Sequence, residues 1–256
     1  MKVKKIKLLG SILDLLCGKR FRKPRVSAVI LAAGSGSRMN GQNKTKQWLE
    51  IGGVPAVVRC ASAFQACGAV KEIIIAARED ELPLYADFAE IYGISKLKAV
   101  VKGGNTRQTC ALEGFKRISD KATHVAVHDA ARCLVTTQMI KKVIDAAVAD
   151  GAAIAACPSG DTVKISVKNT LVGQTPERSR VWIAQTPQIF ETEIYRASAY
   201  TALKDGSPVT DDASMAENAG FKVRLVDCGR ENIKITEQID LFIAESILRY
   251  REETEQ

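Results

Sequence analysis

From Val26 onward, short β-branched runs alternate with longer stretches of helical periodicity, and this alternation most restricts how the chain can fold. VSAVILAA (26–33), KEIIIAA (71–77), LKAVV (97–101), THVAVHD (123–129) and GAAIAACP (151–158) read as strands. Several are apolar on both faces, as strands of a sheet covered on both sides must be. Between them PAVVRCASAFQACG (55–68), TRQTCALEGFKRI (106–118) and TTQMIKKVIDAAVADG (136–151) read as helices, two of them closing at glycine. Repeated βαβ units specify an α/β architecture on a doubly wound, mostly parallel sheet. Such sheets bind ligands at the carboxyl ends of their strands.

The rhythm breaks at 159–181, where two alternating strand-like runs flank a Lys-Asn-Thr turn and predict a protruding hairpin. Beyond it the pattern gives helices near 191–203 and 210–220, a strand at 222–228 and a final amphipathic helix over 235–253. We read residues 1–25 as a basic N-terminal extension and 26–256 as one domain carrying the hairpin.

A formal net charge of +8 invites a nucleic-acid or membrane reading. Its distribution argues otherwise: nine of the 37 Lys and Arg and one of the 29 Asp and Glu fall in residues 1–25, which leaves 28 of each sign in the remainder. Non-specific nucleic-acid binding by the body loses its main support. In the extension, Asp14 interrupts the apolar run, no small-residue cleavage pattern follows, and the run is too short to span a bilayer. Val3, Ile6, Leu9, Leu13 and Leu16 recur at helical spacing, which permits an amphipathic helix on a membrane surface. A solvated extension is the preferred reading, since termini are usually loosely held. Seven scattered cysteines without a Cys-x-x-Cys pair indicate neither a disulfide framework nor a zinc site. With no export signal, the expected setting is cytoplasmic.

Three stretches carry chemistry. VILAAGSGSRM (29–39) ends a strand in small residues, exposing backbone N–H groups, and then adds Arg38, which together make a phosphate cradle. It is no dinucleotide fingerprint, because Met39 occupies the third glycine position, and no Walker loop, because Gln42 and Asn43 stand where Lys and Ser/Thr belong. A generic glycine turn is the alternative. Lys44 and Lys46 follow within reach of anything bound at the turn. In HDAAR (128–132), Asp129 could hold a cation or a sugar hydroxyl, or simply cap the next helix, and Arg132 could fork onto a phosphate. NIKIT (232–236) sets Lys234 in an apolar run, where an amine asks for an anionic partner or a sheet edge. The only histidines, His124 and His128, share one expected strand, and no Ser/His/Asp or Cys/His set exists. This inventory suits transfer between phosphates, whose nucleophile is already anionic and whose catalysis is alignment plus charge neutralisation.

In this order the blocks AAGSGSRM (32–39), KQWL (46–49), GGNTRQTC (103–110), HDAAR (128–132), DTVK (161–164), QTPQIF (185–190), TDDAS (210–214) and NIKIT (232–236) resemble the 2-C-methyl-D-erythritol 4-phosphate cytidylyltransferase family across residues 26–250. The resemblance implies a Rossmann-like α/β fold of the nucleotide-diphospho-sugar transferase type. It also implies transfer of CMP from CTP to methylerythritol 4-phosphate, with Mg²⁺ held mainly through the CTP phosphates. By position, Ala32, Ala33, Gly34, Ser35 and Gly36 would wrap the triphosphate, and Arg38, Lys46 and Lys234 would serve the α-phosphate. Gly104, Asn105 and Cys110 would meet the nucleoside, and Asp129, Arg132, Thr186 and Thr210 the acceptor. The 159–181 hairpin becomes an arm interlocking with a second subunit, so that Thr162 and Arg178 reach the partner's substrate in a homodimer. Departures from the family pattern are Thr45, Trp48, Asn105, Cys110 and Cys133. Two rival readings are a ribitol 5-phosphate cytidylyltransferase and an inactive nucleotide-binding sensor.

Overall fold

A computed structural model describes residues 23–34, 45–206 and 209–254. In chain order its strands are β1 (Val26–Ala32), the short pair β2 (Glu50–Ile51) and β3 (Val54–Pro55), β4 (Val70–Ala77), β5 (Leu97–Lys102), β6 (His124–Asp129), β7 (Ala152–Pro158), the short pair β8 (Ile165–Ser166) and β9 (Val172–Gln174), β10 (Trp182–Glu191) and β11 (Arg224–Asp227). The helices are α1 (Ala56–Ala66), α2 (Phe88–Ile91), α3 (Arg107–Phe115), α4 (Thr137–Asp150), α5 (Thr192–Asp205), α6 (Asp212–Asn218) and α7 (Ile239–Thr254). Seven strands form one sheet in the order β11-β7-β10-β6-β1-β4-β5. All pair in parallel except β10, which runs antiparallel between β6 and β7.

The five strands expected from the apolar runs end within one residue of their expected limits. They form because their side chains alternate between two covered faces. On one face Ala28, Ile30, Ile73, Ile75, Ala126 and Ala153 pack under α1, α4 and α7. On the other, Val29, Val125, Val127 and Ile154 meet Phe115 of α3, Tyr195 of α5 and Met215 of α6. Helix ends are set locally. Thr136 caps α4 by accepting the Met139 N–H at 3.1 Å, and Gly151 closes it in the left-handed region at φ 84°.

The expected pattern lacked β10. Its sequence contains Pro187, which argues against a central strand. The sheet accommodates it by an irregularity, since pairing with β7 breaks between Ala184 and Gln188, around a cis Thr186–Pro187 bond. The departing backbone turns the polar side chains of Gln185 and Thr186 into the molecule, where both are buried.

The predicted hairpin is present as β8 and β9, joined through a tight turn at Lys168–Thr170. It leaves Ile165, Val167, Leu171 and Val172 exposed. Among the described residues, no helix is long and apolar enough to cross a membrane. Six cysteines are buried with free thiols. Cys17 and the rest of 1–22 lie outside the described residues.

Candidate active site

The carboxyl ends of β1, β4, β5 and β6 surround a cavity of about 610 Å³. Its walls carry five cationic side chains (Lys46, Arg78, Lys102, Arg107, Lys234) and three carboxylates (Glu79, Asp80, Asp129) among the described residues. Backbone approaches closely here because the chain is glycine-rich. A Cβ on Gly103 would lie 2.6 Å from Ala33 Cβ and 2.8 Å from Cys110 Sγ, and one on Gly104 would lie 2.2 Å from Thr109 Oγ1. Only glycine lets the ends of β1 and β5 and the start of α3 meet. Thr106 and Thr109 close the start of α3 as a reciprocal capping box.

Asp129, the last residue of β6, is the electrostatic centre. Its Oδ2 accepts from Lys234 Nζ at 2.7 Å and its Oδ1 from Arg107 Nε at 3.2 Å. Burial alone would raise this carboxyl, but the Arg107 and Lys234 charges outweigh it and hold it well below the usual carboxylate range. Arg107 donates its Nη1 to Asp212 Oδ2 at 2.5 Å, and Asp212 Oδ1 accepts the Tyr195 hydroxyl at 3.0 Å. Despite its burial, these two carboxylates raise the Arg107 guanidinium above its ordinary value. Its Nη2 is buried without a partner among the described residues.

Behind Asp129 runs a tie of polar groups. The Asp129 N–H donates to Thr186 Oγ1 at 3.0 Å. His128 Nε2 lies 3.2 Å from the Arg132 carbonyl, which can only accept, so this nitrogen carries the proton and Nδ1 accepts the Thr186 hydroxyl at 3.1 Å. Asn232 Nδ2 donates to Gln185 Oε1 at 3.0 Å and to the Thr186 carbonyl at 2.8 Å. The irregular backbone of β10 is thereby fastened to the 232–236 segment that carries Lys234.

The sequence-predicted residues divide into three groups. Ala33, Gly34, Lys46, Gly104, Asn105, Cys110, Asp129 and Lys234 line the cavity together. Lys46 crosses the end of β1, its Cε within 3.1 Å of where a Cβ on Gly34 would stand. Burial pushes the Cys110 thiol up, against the pull of the Gly104 and Ala33 backbone. The second group stands away from the wall. Ala32 is buried in the core, and Thr186 belongs to the tie. Arg132 donates its terminal nitrogens to the carbonyls of Asn232 at 2.8 Å and Ala184 at 3.2 Å. Thr210 shares a shallow recess with Arg107 and Asp212, and Thr162 and Arg178 are exposed on the hairpin arm. The third group, Ser35, Gly36 and Arg38, lies outside the described residues. Sequence reasoning missed Arg107, Asp212, Tyr195 and Gln185.

A doubly wound sheet whose carboxyl edge gathers three lysines and two arginines from separate segments around close-packed glycines is built to hold an anionic phosphate ligand, as the nucleotidyltransferases of the Rossmann-like α/β class do. Residues 26–250 match the profile of the family described as 2-C-methyl-D-erythritol 4-phosphate cytidylyltransferase (IspD). The chain belongs to this family. A relative of that name from Syntrophus aciditrophicus is 38% identical over 231 residues, covering 90% of this chain and 98% of the relative. Another from Shouchella clausii is 40% identical over 227 residues, covering 88% and 97%. The crystal structure of the 4-diphosphocytidyl-2C-methyl-D-erythritol synthase from Anaerococcus prevotii superposes with a TM-score of 0.79 at 31% identity, covering 89% of this chain and all of that one. The Thermus thermophilus 2-C-methyl-D-erythritol 4-phosphate cytidylyltransferase structure gives 0.73 at 28% identity, covering 88% and 99%.

Proposed function

We propose that this chain transfers CMP from CTP to 2-C-methyl-D-erythritol 4-phosphate, releasing pyrophosphate and forming 4-diphosphocytidyl-2-C-methyl-D-erythritol. The observation that carries the reading is the convergence of Lys46, Arg107 and Lys234 on one cavity that Gly34, Gly103 and Gly104 also line. An oxygen of the acceptor's phosphate attacks the α-phosphorus of CTP. The bond from that phosphorus to the bridging oxygen breaks, and pyrophosphate leaves with the electron pair. No proton need be pulled from a reluctant donor, so the protein's task is alignment and neutralisation of the charge gathering at phosphorus. Lys46 and Lys234 meet that charge from two sides, and the family resemblance assigns Arg38, outside the described residues, to the same phosphate. Asp129 holds Lys234 and Arg107 in place, so little reorganisation accompanies the reaction. Gly104, Asn105 and Cys110 take the nucleoside.

Among the described residues no three His, Cys, Asp or Glu side chains come together as a metal site, and Asp129 already bears two ion pairs. That donor set fits Mg²⁺ whose ligands are mainly triphosphate oxygens and water. Bound there, the ion would neutralise the departing pyrophosphate. The exposed apolar residues of the hairpin arm fit a two-fold homodimer, with Thr162 and Arg178 reaching the partner's acceptor site. A cytoplasmic setting accords with the free thiols.

Pyrophosphate release from CTP, Mg²⁺ and methylerythritol 4-phosphate tests the reading, with ribitol 5-phosphate in a parallel reaction. Turnover with the first acceptor is expected. Turnover only with ribitol 5-phosphate would overturn the acceptor assignment, and CTP binding without turnover on either would make the chain a nucleotide sensor.

A further inference from the structure

Lys46 reaches the cavity from a 3₁₀ turn of only three residues, Lys46–Trp48. So short a turn has few hydrogen bonds of its own to fix a side chain. The fixing comes from elsewhere. Glu81, in the 3₁₀ run Glu79–Tyr85, is 5% exposed. Its Oε1 accepts the Thr45 hydroxyl, and its Oε2 accepts Gln47 Nε2 at 2.7 Å. The residues on both sides of Lys46 are thus tied to one buried carboxylate. Trp48 secures the same segment, its ring 4.9 Å from that of Tyr85 and 6.2 Å from that of Phe88. The cation nearest this carboxylate among the described ion pairs, Arg78, stands 4.0 Å from it. A buried carboxylate held chiefly by neutral donors is a costly way to fill a core. Its geometry accounts for it: two acceptor oxygens grip two alternate side chains, and the lysine between them is left to cross Gly34 into the cavity.

We infer that Glu81 is a positioning residue for Lys46, an anchor that sets where the ammonium stands relative to the phosphate it serves. The inference rests on the proposed role of Lys46 in phosphate transfer. In the full-length chain, Glu81→Leu removes both bonds, and Thr45→Val removes one at a half-buried site. Two measurements apply to each variant: steady-state pyrophosphate release, with kcat and the KM for acceptor separated, and hydrogen exchange of the amides at 45–49. The expected results are faster exchange over 45–49 and a kcat lower by about 10- to 100-fold in Glu81→Leu, the order that an ångström of misplacement costs. Thr45→Val should show a smaller loss in the same direction, with the KM for acceptor within about twofold in both. Unchanged exchange overturns the anchor. Accelerated exchange with unchanged kcat overturns its link to Lys46, and so does a kcat loss matched by an equal rise in KM. Should Glu81→Leu fail to fold, Thr45→Val decides by the same two readouts. If the wild-type chain releases no pyrophosphate, the proposed reaction falls, while the exchange comparison still decides whether Glu81 holds the segment.

Discussion

His128 makes the fold's stability depend on pH in a window where few other groups titrate. The ring is fully buried, edge-on to Phe64 at 5.2 Å, and its two nitrogens are committed to the Arg132 carbonyl and the Thr186 hydroxyl in the neutral form. Burial pushes it down from 6.5 to about 4, and the attraction of Asp129 only partly opposes this. Because the folded value lies below the unfolded one, the unfolded chain binds the extra proton in between. The stability owed to neutral His128 is therefore complete above pH 6.5 and is lost as pH falls toward about 4. At 1.36 kcal/mol per pH unit the interval is worth roughly 3 kcal/mol, of which about 2.5 is gone by pH 4.5. Urea unfolding followed by tryptophan fluorescence at pH 7.5, 6.0 and 4.5 measures it. His128→Asn starts less stable, since it gives up the imidazole's bond to the Arg132 carbonyl and its packing against Phe64, but should lose about 2 kcal/mol less than wild type between pH 7.5 and 4.5. His124 is also pushed down by burial, and its contribution is common to both proteins. Parallel stability profiles for wild type and variant would refute the assignment.

Asp129→Asn removes the carboxylate shared by Arg107 and Lys234. At pH 7 it should cost about 2 kcal/mol after discounting for the partial exposure of Lys234, and lower Tm by about 4–8 °C in calorimetry. Because the Asp129 carboxyl is held low in the fold, its contribution is complete above about pH 4 and the gap should narrow on further acidification. Gly104→Ala would drive a methyl to 2.2 Å from Thr109 Oγ1 and displace the turn at the cavity wall; CTP affinity should fall about tenfold by calorimetric titration. Val172→Asp puts a charge on the exposed apolar arm and should give monomers by light scattering if the arm forms the dimer, while an unchanged mass would exclude the arm from the interface.

What the sequence discloses and what it hides follow from the range over which each signal acts. β1, β4, β6 and β7 are legible because burial on both faces writes itself as contiguous β-branched and small residues. β10 is hidden because its proline and buried glutamines belong to the site's polar tie and obscure the strand pattern. The glycine turn and Lys234 are readable as chemistry because a small-residue turn or a lysine in an apolar run is anomalous within its own few residues, whereas Lys46, in a polar segment, is readable only by its nearness to that turn and by the family resemblance. Arg107 and Asp212 are not anomalous in that way. Arg107 opens a helix as any arginine might, and Asp212 stands in a capping sequence where Asp211 and Ser214 close the box. Only the fold brings together these two residues, 105 positions apart, and only then is Asp212 seen to face Tyr195 and Arg107. Arg132 shows the converse. Its motif suggests a phosphate fork, yet its terminal nitrogens close onto the carbonyls of Asn232 and Ala184, so it fastens the Lys234 segment to the irregular strand. A motif thus fixes which charges gather at the sheet's edge. Which of them face the cavity and which hold the others depends on backbone carbonyls that have no signature in the sequence.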